Sequence, residues 1–270
     1  MAIDKHLWRS QFSDKTVPKY PCPKCGKGHL IWDKERYVNL EPGYSRREHD
    51  EDDWDPDWVR SRFVGFARCD FVFCGEIVAI SGSSSVDHEY GFDDVEGRHT
   101  DEWVTMLRPS SMTPTPHLFP LSSSIPDPIR KEIVLAFSLY WTDLSASTSR
   151  LRTSLEMVLD DQRVPRKTDK PNPKGKGLLN LEQRILKFAE AAGDPDAAAS
   201  MDALRVVGNL GTHGERIKEQ DYFDVLGIYE HALLEIYEQL SVKRKATQAR
   251  LKGLNDKGKS GQEIELGLPD

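Results

Sequence analysis

Four cysteines, and no others, punctuate this chain of 270 residues, as Cys22-Pro-Lys-Cys25 and, forty-four positions after Cys25, as Cys69-Asp-Phe-Val-Phe-Cys74. Each therefore belongs to a close pair. Zinc takes four thiolates in a tetrahedron at about 2.3 Å, and a short turn between two cysteines lets both sulfurs converge on one ion. Pro21, Pro23 and Gly26 tighten the first turn, and His29-Leu-Ile-Trp32 leaves it as a predicted strand. Phe63 to Ala67 enters the second turn and Gly75 to Ile80 leaves it, both with β-rich alternation. The spacing is that of a zinc ribbon, and Cys22, Cys25, Cys69 and Cys74 are the expected ligands of a structural zinc ion. Two disulfides are the weaker alternative in a reducing compartment, and a redox Cys-x-x-Cys leaves the second pair unexplained. His29 reads as a strand residue beside a site that four sulfurs already fill. A closed site offers no position for an activated water, which argues against metal catalysis.

Composition narrows the setting. No run of about 18 apolar residues occurs, and the chain opens with charges throughout, so a cytoplasmic protein with no membrane segment is expected. The net charge of −7 is uneven: residues 1–119 hold 15 Lys/Arg against 21 Asp/Glu, leaving 22 against 23 for the remainder. The acidic run from Glu48 to Asp57 lacks the ligand spacing and turn glycine of a calcium loop and is expected to be a mobile acidic loop. Arg163 to Lys176 carries six basic residues to one acid and Lys243 to Lys259 seven to one; both read as a solvated loop and tail able to touch phosphates locally.

Prolines 109, 114, 116, 120 and 126 mark a change of pattern. Beyond them apolar residues recur at helical spacing, beginning with Ile129, Ile133, Phe137, Tyr140 and Leu144. Further helices are predicted over Ser147 to Asp161, Leu179 to Ala192, Asp194 to about His213 and from about Asp221 to Leu240. Asp194 and Pro195 supply a strong start signal for the fourth. The expected fold class is α+β and multidomain: a β-rich zinc ribbon with an acidic insertion over 1–119, an antiparallel α-helical bundle over 120–240, and a basic, flexible tail over 241–270.

On the fourth predicted helix Arg205, Asn209 and His213 recur every four residues and share one face. An arginine to offset phosphate charge, an amide to orient it and an imidazole to move a proton make a set suited to metal-free RNA cleavage. The bland alternative is a packed hydrogen-bond network, since Gly208 and Gly211 permit close helix approach and His213 precedes a helix-ending glycine. Arg152 and Glu156 stand four apart on the second helix, and Glu156 is a candidate partner for Arg205 or His213.

Three short motifs, I-P-D-P-I-R at 125–130, R-T-S-L-E at 152–156 and L-R-V-V-G-N-L-G-T-H at 204–213, together with a preceding cysteine-rich ribbon, resemble the domain of unknown function 4145 family. That family looks like a distant relative of the HEPN (higher eukaryotes and prokaryotes nucleotide-binding) helical bundles, many of which act in phage defence or toxin systems and pair across a dimer. The resemblance implies a bacterial HEPN-like bundle and a homodimer through it. Catalytic members carry an arginine four to six residues before the histidine; here seven residues separate Arg205 from His213, and Gly208-Asn209 stands where arginine and a polar residue belong. Two readings follow. The preferred one is a non-catalytic or weakly catalytic HEPN-like module whose zinc ribbon binds RNA or DNA, or a protein partner, in a bacterial defence or restriction-associated setting. The other is a metal-independent ribonuclease using Arg205, Asn209 and His213. No phosphate-cradling loop exists at Gly82-Ser83-Ser84-Ser85, which lacks the lysine and helix of a P-loop, and no nucleophile elbow is present.

Overall fold

Residues 60–69 alternate exposed and buried without a break, and that alternation builds the centre of an antiparallel sheet. The computed structural model describes residues 3–8, 10–93, 98–168, 177–192, 202, 205 and 217–259. Its strands are β1 (Phe12–Ser13), β2 (Leu30–Leu40), β3 (Arg60–Cys69), β4 (Ile77–Asp93) and β5 (Arg98–Thr113), paired in the order β1-β5-β4-β3-β2. All pairings are antiparallel. Between β2 and β3 lie a short helix, α1 (Gly43–Glu48), and a 3-10 turn at Pro56–Trp58 capped by Asp55, so the acidic insertion is more ordered than the charge run suggests.

One sheet face is the core. Phe63, Ala67 and Cys69 of β3, Val78 and Ile80 of β4 and Leu107 and Met112 of β5 are all buried. The ladder between β4 and β5 shifts between Ser81 and Gly82. At the shift Arg108 and Pro109 come so close that a Cβ on Gly82 would stand 2.1 Å from the Arg108 carbonyl oxygen and 2.8 Å from Pro109 Cα. Pro109 is thus inside β5, at a bulge where a ladder donor is dispensable, and not the start of a linker.

The helical half contains α2 (Asp127–Tyr140), α3 (Leu144–Asp161), α4 (Leu181–Ala192), α5 (Glu219–Glu238) and α6 (Leu240–Lys259). Ile129, Ile133, Phe137 and Tyr140 line the buried side of α2 as their spacing requires. Asp143 caps α3, accepting from the backbone N–H groups of Ser145 (2.8 Å) and Ala146 (3.1 Å), so α3 begins at Leu144 and not Ser147. Asn180 and Gln183 form a reciprocal capping box at the start of α4. Two buried hydroxyl pairs join α3 to α5, Ser147 with Tyr222 at 2.7 Å and Ser154 with Tyr229 at 2.8 Å, seven residues apart on each helix. Where the sequence suggested a flexible tail from 241, the chain is helical to Lys259, with an exposed surface over residues 242–253. No described helix is long and apolar enough to cross a membrane.

Sheet and helices share one hydrophobic core. Trp8 stacks on Tyr20 at 5.1 Å between ring centroids, and Tyr20 meets Trp141 edge-on at 5.7 Å. The Tyr140 hydroxyl donates to the Trp8 carbonyl and contacts Glu219, while Thr142 donates to the Ser110 carbonyl at 2.6 Å. Trp8 and Tyr20 both precede the first cysteine turn, so the same segment that enters the cysteine cluster locks the helices to the sheet.

Two glycines give opposite expectations. Gly82→Ala forces backbone apart at the bulge and should lower stability by about 1–3 kcal/mol. Gly227→Ala, in the interior of α5 with open space around the added carbon, should raise it by roughly 0.5–1 kcal/mol. Denaturant melts of the two variants beside the parent check both signs.

Candidate metal centre

The first turn closes because Gly26 adopts φ +61° and donates to the Cys22 carbonyl at 3.0 Å. The second closes in the same way: Gly75 adopts φ +59°, and its N–H donates to the Phe71 carbonyl at 3.3 Å. A residue with a side chain rarely adopts that conformation, which is why each cysteine pair is followed directly by glycine. Backbone hydrogen bonds from Cys22 N–H to the Gly28 carbonyl (2.9 Å) and from Cys69 N–H to the Glu76 carbonyl (2.8 Å) close each turn across its base, and one from Asp70 N–H to the His29 carbonyl (2.9 Å) ties the two turns together. The Asp70 carboxylate in turn accepts from His29 N–H at 2.7 Å.

These loops bring all four sulfurs within 4.8 Å of one another. Cys22 lies 3.7 Å from Cys74 and Cys25 lies 3.7 Å from Cys69, sulfur to sulfur. A tetrahedron with metal–sulfur bonds of about 2.3 Å has corners about 3.8 Å apart, so the cluster has the dimensions of a four-thiolate metal site. A disulfide needs about 2.05 Å, and all four thiols are free. The Gly28 and Lys27 backbone N–H groups hold the Cys25 thiol down to about 6, whereas burial pushes Cys69 up to about 12. His29 is outside the cluster, as its strand position implies.

The second polar set is only partly described. Arg205 donates to Asp202 at 2.5 Å and lies 3.8 Å from Glu182 of α4, so its charge is already matched by two carboxylates. Asn209 and His213 lie outside the described residues, as does most of the fourth predicted helix. The carboxylates on Arg205 are not Glu156. The ion pair from α3 to α4 is instead between the half-buried Asp160 and the buried Arg184 at 2.7 Å, where Arg184 also reaches the Val164 carbonyl.

A charged surface that the sequence reading missed lies on the outer face of the sheet. Arg60, Arg62, Val64, Phe66 and Arg68 all point outward from β3. Cross-strand pairing sets Leu40, Arg62, Ser83 and Arg108 in one row and Ile31, Arg68 and Ile77 in another. Among the described residues none of the guanidiniums of Arg60, Arg62, Arg68 and Arg108 pairs with a carboxylate. Arg60 and Arg62 donate to backbone carbonyls, and Arg108 donates to the Gln11 side chain at 2.9 Å. The signal was every-second-residue arginine in a strand, which a search for charge runs passes over. At the end of β3 the cysteine turn exposes Val72 (82%) and Phe73 (89%), and the Lys27 ammonium lies 5.8 Å over the Phe71 ring.

Comparison with protein families matches two segments of the chain, each to a family of unknown function. Residues 10–111 match the family described as Domain of unknown function (DUF8608), and residues 135–257 match Domain of unknown function (DUF4145). The second is the family that the sequence motifs resemble; those at 152–156 and 204–213 fall inside the matched segment, and that at 125–130 precedes it. Comparison with curated proteins and with solved structures gives no match.

The geometry makes a discriminating prediction at Gly28. A Cβ there would meet Cys69 Sγ, Asp70 Oδ1 and Phe71 Cβ, each at 2.7 Å. Gly28→Ala keeps every ligand yet should displace the second turn and weaken metal retention at least about tenfold, against a chelator titration of the parent, since a misplaced ligand shell commonly costs metal sites that much.

Proposed function

We propose that this protein is a non-catalytic nucleic-acid-binding module whose β-rich half is held by structural zinc and whose helical half is HEPN-like. Zinc is the ion best suited to four thiolates at these separations, because it has no geometric preference of its own and favours soft ligands in a tetrahedron. Cys22, Cys25, Cys69 and Cys74 would hold it. The ion supplies a cross-link between two turns, and with four protein ligands it leaves no position for substrate.

The observation that carries the binding reading is the outer face of the sheet. In a chain of net charge −7, Arg60, Arg62, Arg68 and Arg108 stand without carboxylate partners among the described residues, on a surface that also exposes Val64 and Phe66. Guanidiniums interleaved with an aromatic ring suit single strands, whose phosphates need charge and whose bases need a flat apolar partner. The exposed Phe73 and the Lys27–Phe71 pair extend the same chemistry to the cysteine turn. Binding is favoured over turnover because Arg205, the arginine on which cleavage would depend, is engaged by Asp202 and Glu182.

Labelled single-stranded RNA and DNA titrated into the zinc-loaded protein at several salt concentrations test this. Affinity should fall with salt, Arg68→Ala should reduce the slope of log affinity against log salt by about 1, and Phe66→Ala should cost about 1–3 kcal/mol. The strand should remain uncut, in the parent and in His213→Ala alike. Cleavage abolished by His213→Ala, or binding indifferent to both Phe66→Ala and Arg68→Ala, contradicts the reading.

A further inference from the structure

Three arginines of the outer face converge on a cleft of about 320 Å³ bounded by Ser83 and Ser85 of β4 and by Asp57 of the 3-10 turn. Arg62, Ser83 and Arg108 are direct cross-strand neighbours, and Arg60 and Ser85 are opposed two positions further along, on the same face. The register therefore fixes the constellation independently of side-chain rotamers. Arg60 and Arg62 spend donors on backbone carbonyls and Arg108 one on Gln11, each guanidinium having five N–H groups to give. Among the described residues the Ser83 and Ser85 hydroxyls make no hydrogen bond. Three guanidiniums facing one carboxylate leave two positive charges in the cleft.

A phosphate monoester carries about −1.5 to −2 at neutral pH, against −1 for a diester within a strand. The charge left over in the cleft matches the monoester. Ser83 and Arg108 also border a second cavity, of about 630 Å³, between the sheet and the helices. Tyr140, Trp141, Leu144 and Ile217 line it. A volume of this size lies in the range of small-ligand sites.

We propose that the arginine cleft seats the terminal phosphate monoester of a nucleotide, with the attached nucleoside in the adjoining cavity. The proposal rests on the nucleic-acid reading only insofar as the nucleotide is the end of a strand; a free mononucleotide presents the same chemistry. No bond is made or broken at the site. Arg62 and Arg108 clamp the phosphate oxygens, Ser83 donates between them, and Asp57 limits how much negative charge the cleft tolerates.

The test uses the zinc-loaded full chain and four probes: a nucleoside 5′-monophosphate, the same nucleoside, and one single-stranded RNA with either a 5′-phosphate or a 5′-hydroxyl. The phosphorylated member of each pair should bind roughly tenfold tighter, as expected for charge-assisted hydrogen bonds. Arg62→Gln and Arg108→Gln should each erase that preference while leaving the melting curve near that of the parent, and should weaken the 5′-hydroxyl strand only as far as Arg68→Ala does, through the loss of one outer-face charge. Asp57→Asn should strengthen binding of the phosphorylated probes. Preference within the strand pair alone identifies the strand end as ligand, and preference within the mononucleotide pair alone identifies a free nucleotide. Equal affinity within both pairs overturns the cleft assignment. If both strands still bind with the Phe66 and Arg68 dependence, the outer-face reading survives that failure; if neither strand binds, the outer-face reading fails and the mononucleotide pair alone decides the cleft.

Discussion

Sulfur atoms held within 4.8 Å of one another in a set of four cannot all be thiolates unless a cation sits among them, and the loops that hold them there also set everything nearby. Cys22 and Cys25 anchor the end of the segment that carries Trp8 and Tyr20 against the helices. Cys69 ends β3, and Cys74 leads into β4. Fixing these two turns fixes which β3 residues face the core, because a slip of one residue exchanges the two faces of a strand. Phe63, Ala67 and Cys69 then point inward, and Arg62, Phe66 and Arg68 are necessarily outside.

The same constraint explains why the two halves behave as one body of packed side chains. The segment before the first turn is short, and its aromatic residues have no large strand of their own to pack on. They are buried instead against Trp141 and Tyr140 at the end of α2. Burial of these rings leaves the outer sheet face free and opens a cavity along the seam where sheet and helices meet, beside the arginine cleft. A loosened cysteine turn would therefore reach the cleft through β3 and the seam through Trp8.

Some of this was legible from residue types alone. The cysteine spacing and its glycines pointed to the cluster, and the stripe Ile129, Ile133, Phe137 and Tyr140 gave α2, because each depends on local chemistry. What the sequence hid depended on partners. Pro109 looked like punctuation, yet it occupies a bulge in β5 where its missing N–H is harmless. Ser147 and Ser154 resemble surface hydroxyls until Tyr222 and Tyr229 arrive opposite them at the same spacing. The helix over 240–259 has no apolar stripe to announce it, only a run of good helix formers such as Lys, Arg, Ala and Gln. Arg62 and Arg108 are forty-six positions apart in the chain, and only the register of β3, β4 and β5 makes them neighbours. The Arg205, Asn209 and His213 face drew attention because its members are close in sequence, whereas the outer-face arginines had to be assembled by the sheet.

Hydrogen–deuterium exchange of the zinc-loaded protein, with and without a saturating single-stranded RNA, asks most directly whether the sheet is the working surface. Added protection over residues 60–68, 81–86 and 105–111, with little change in α3 and α5, is the result this account predicts. Protection confined to the helices, with the sheet exchanging as before, would contradict it and move the binding surface to the helical half.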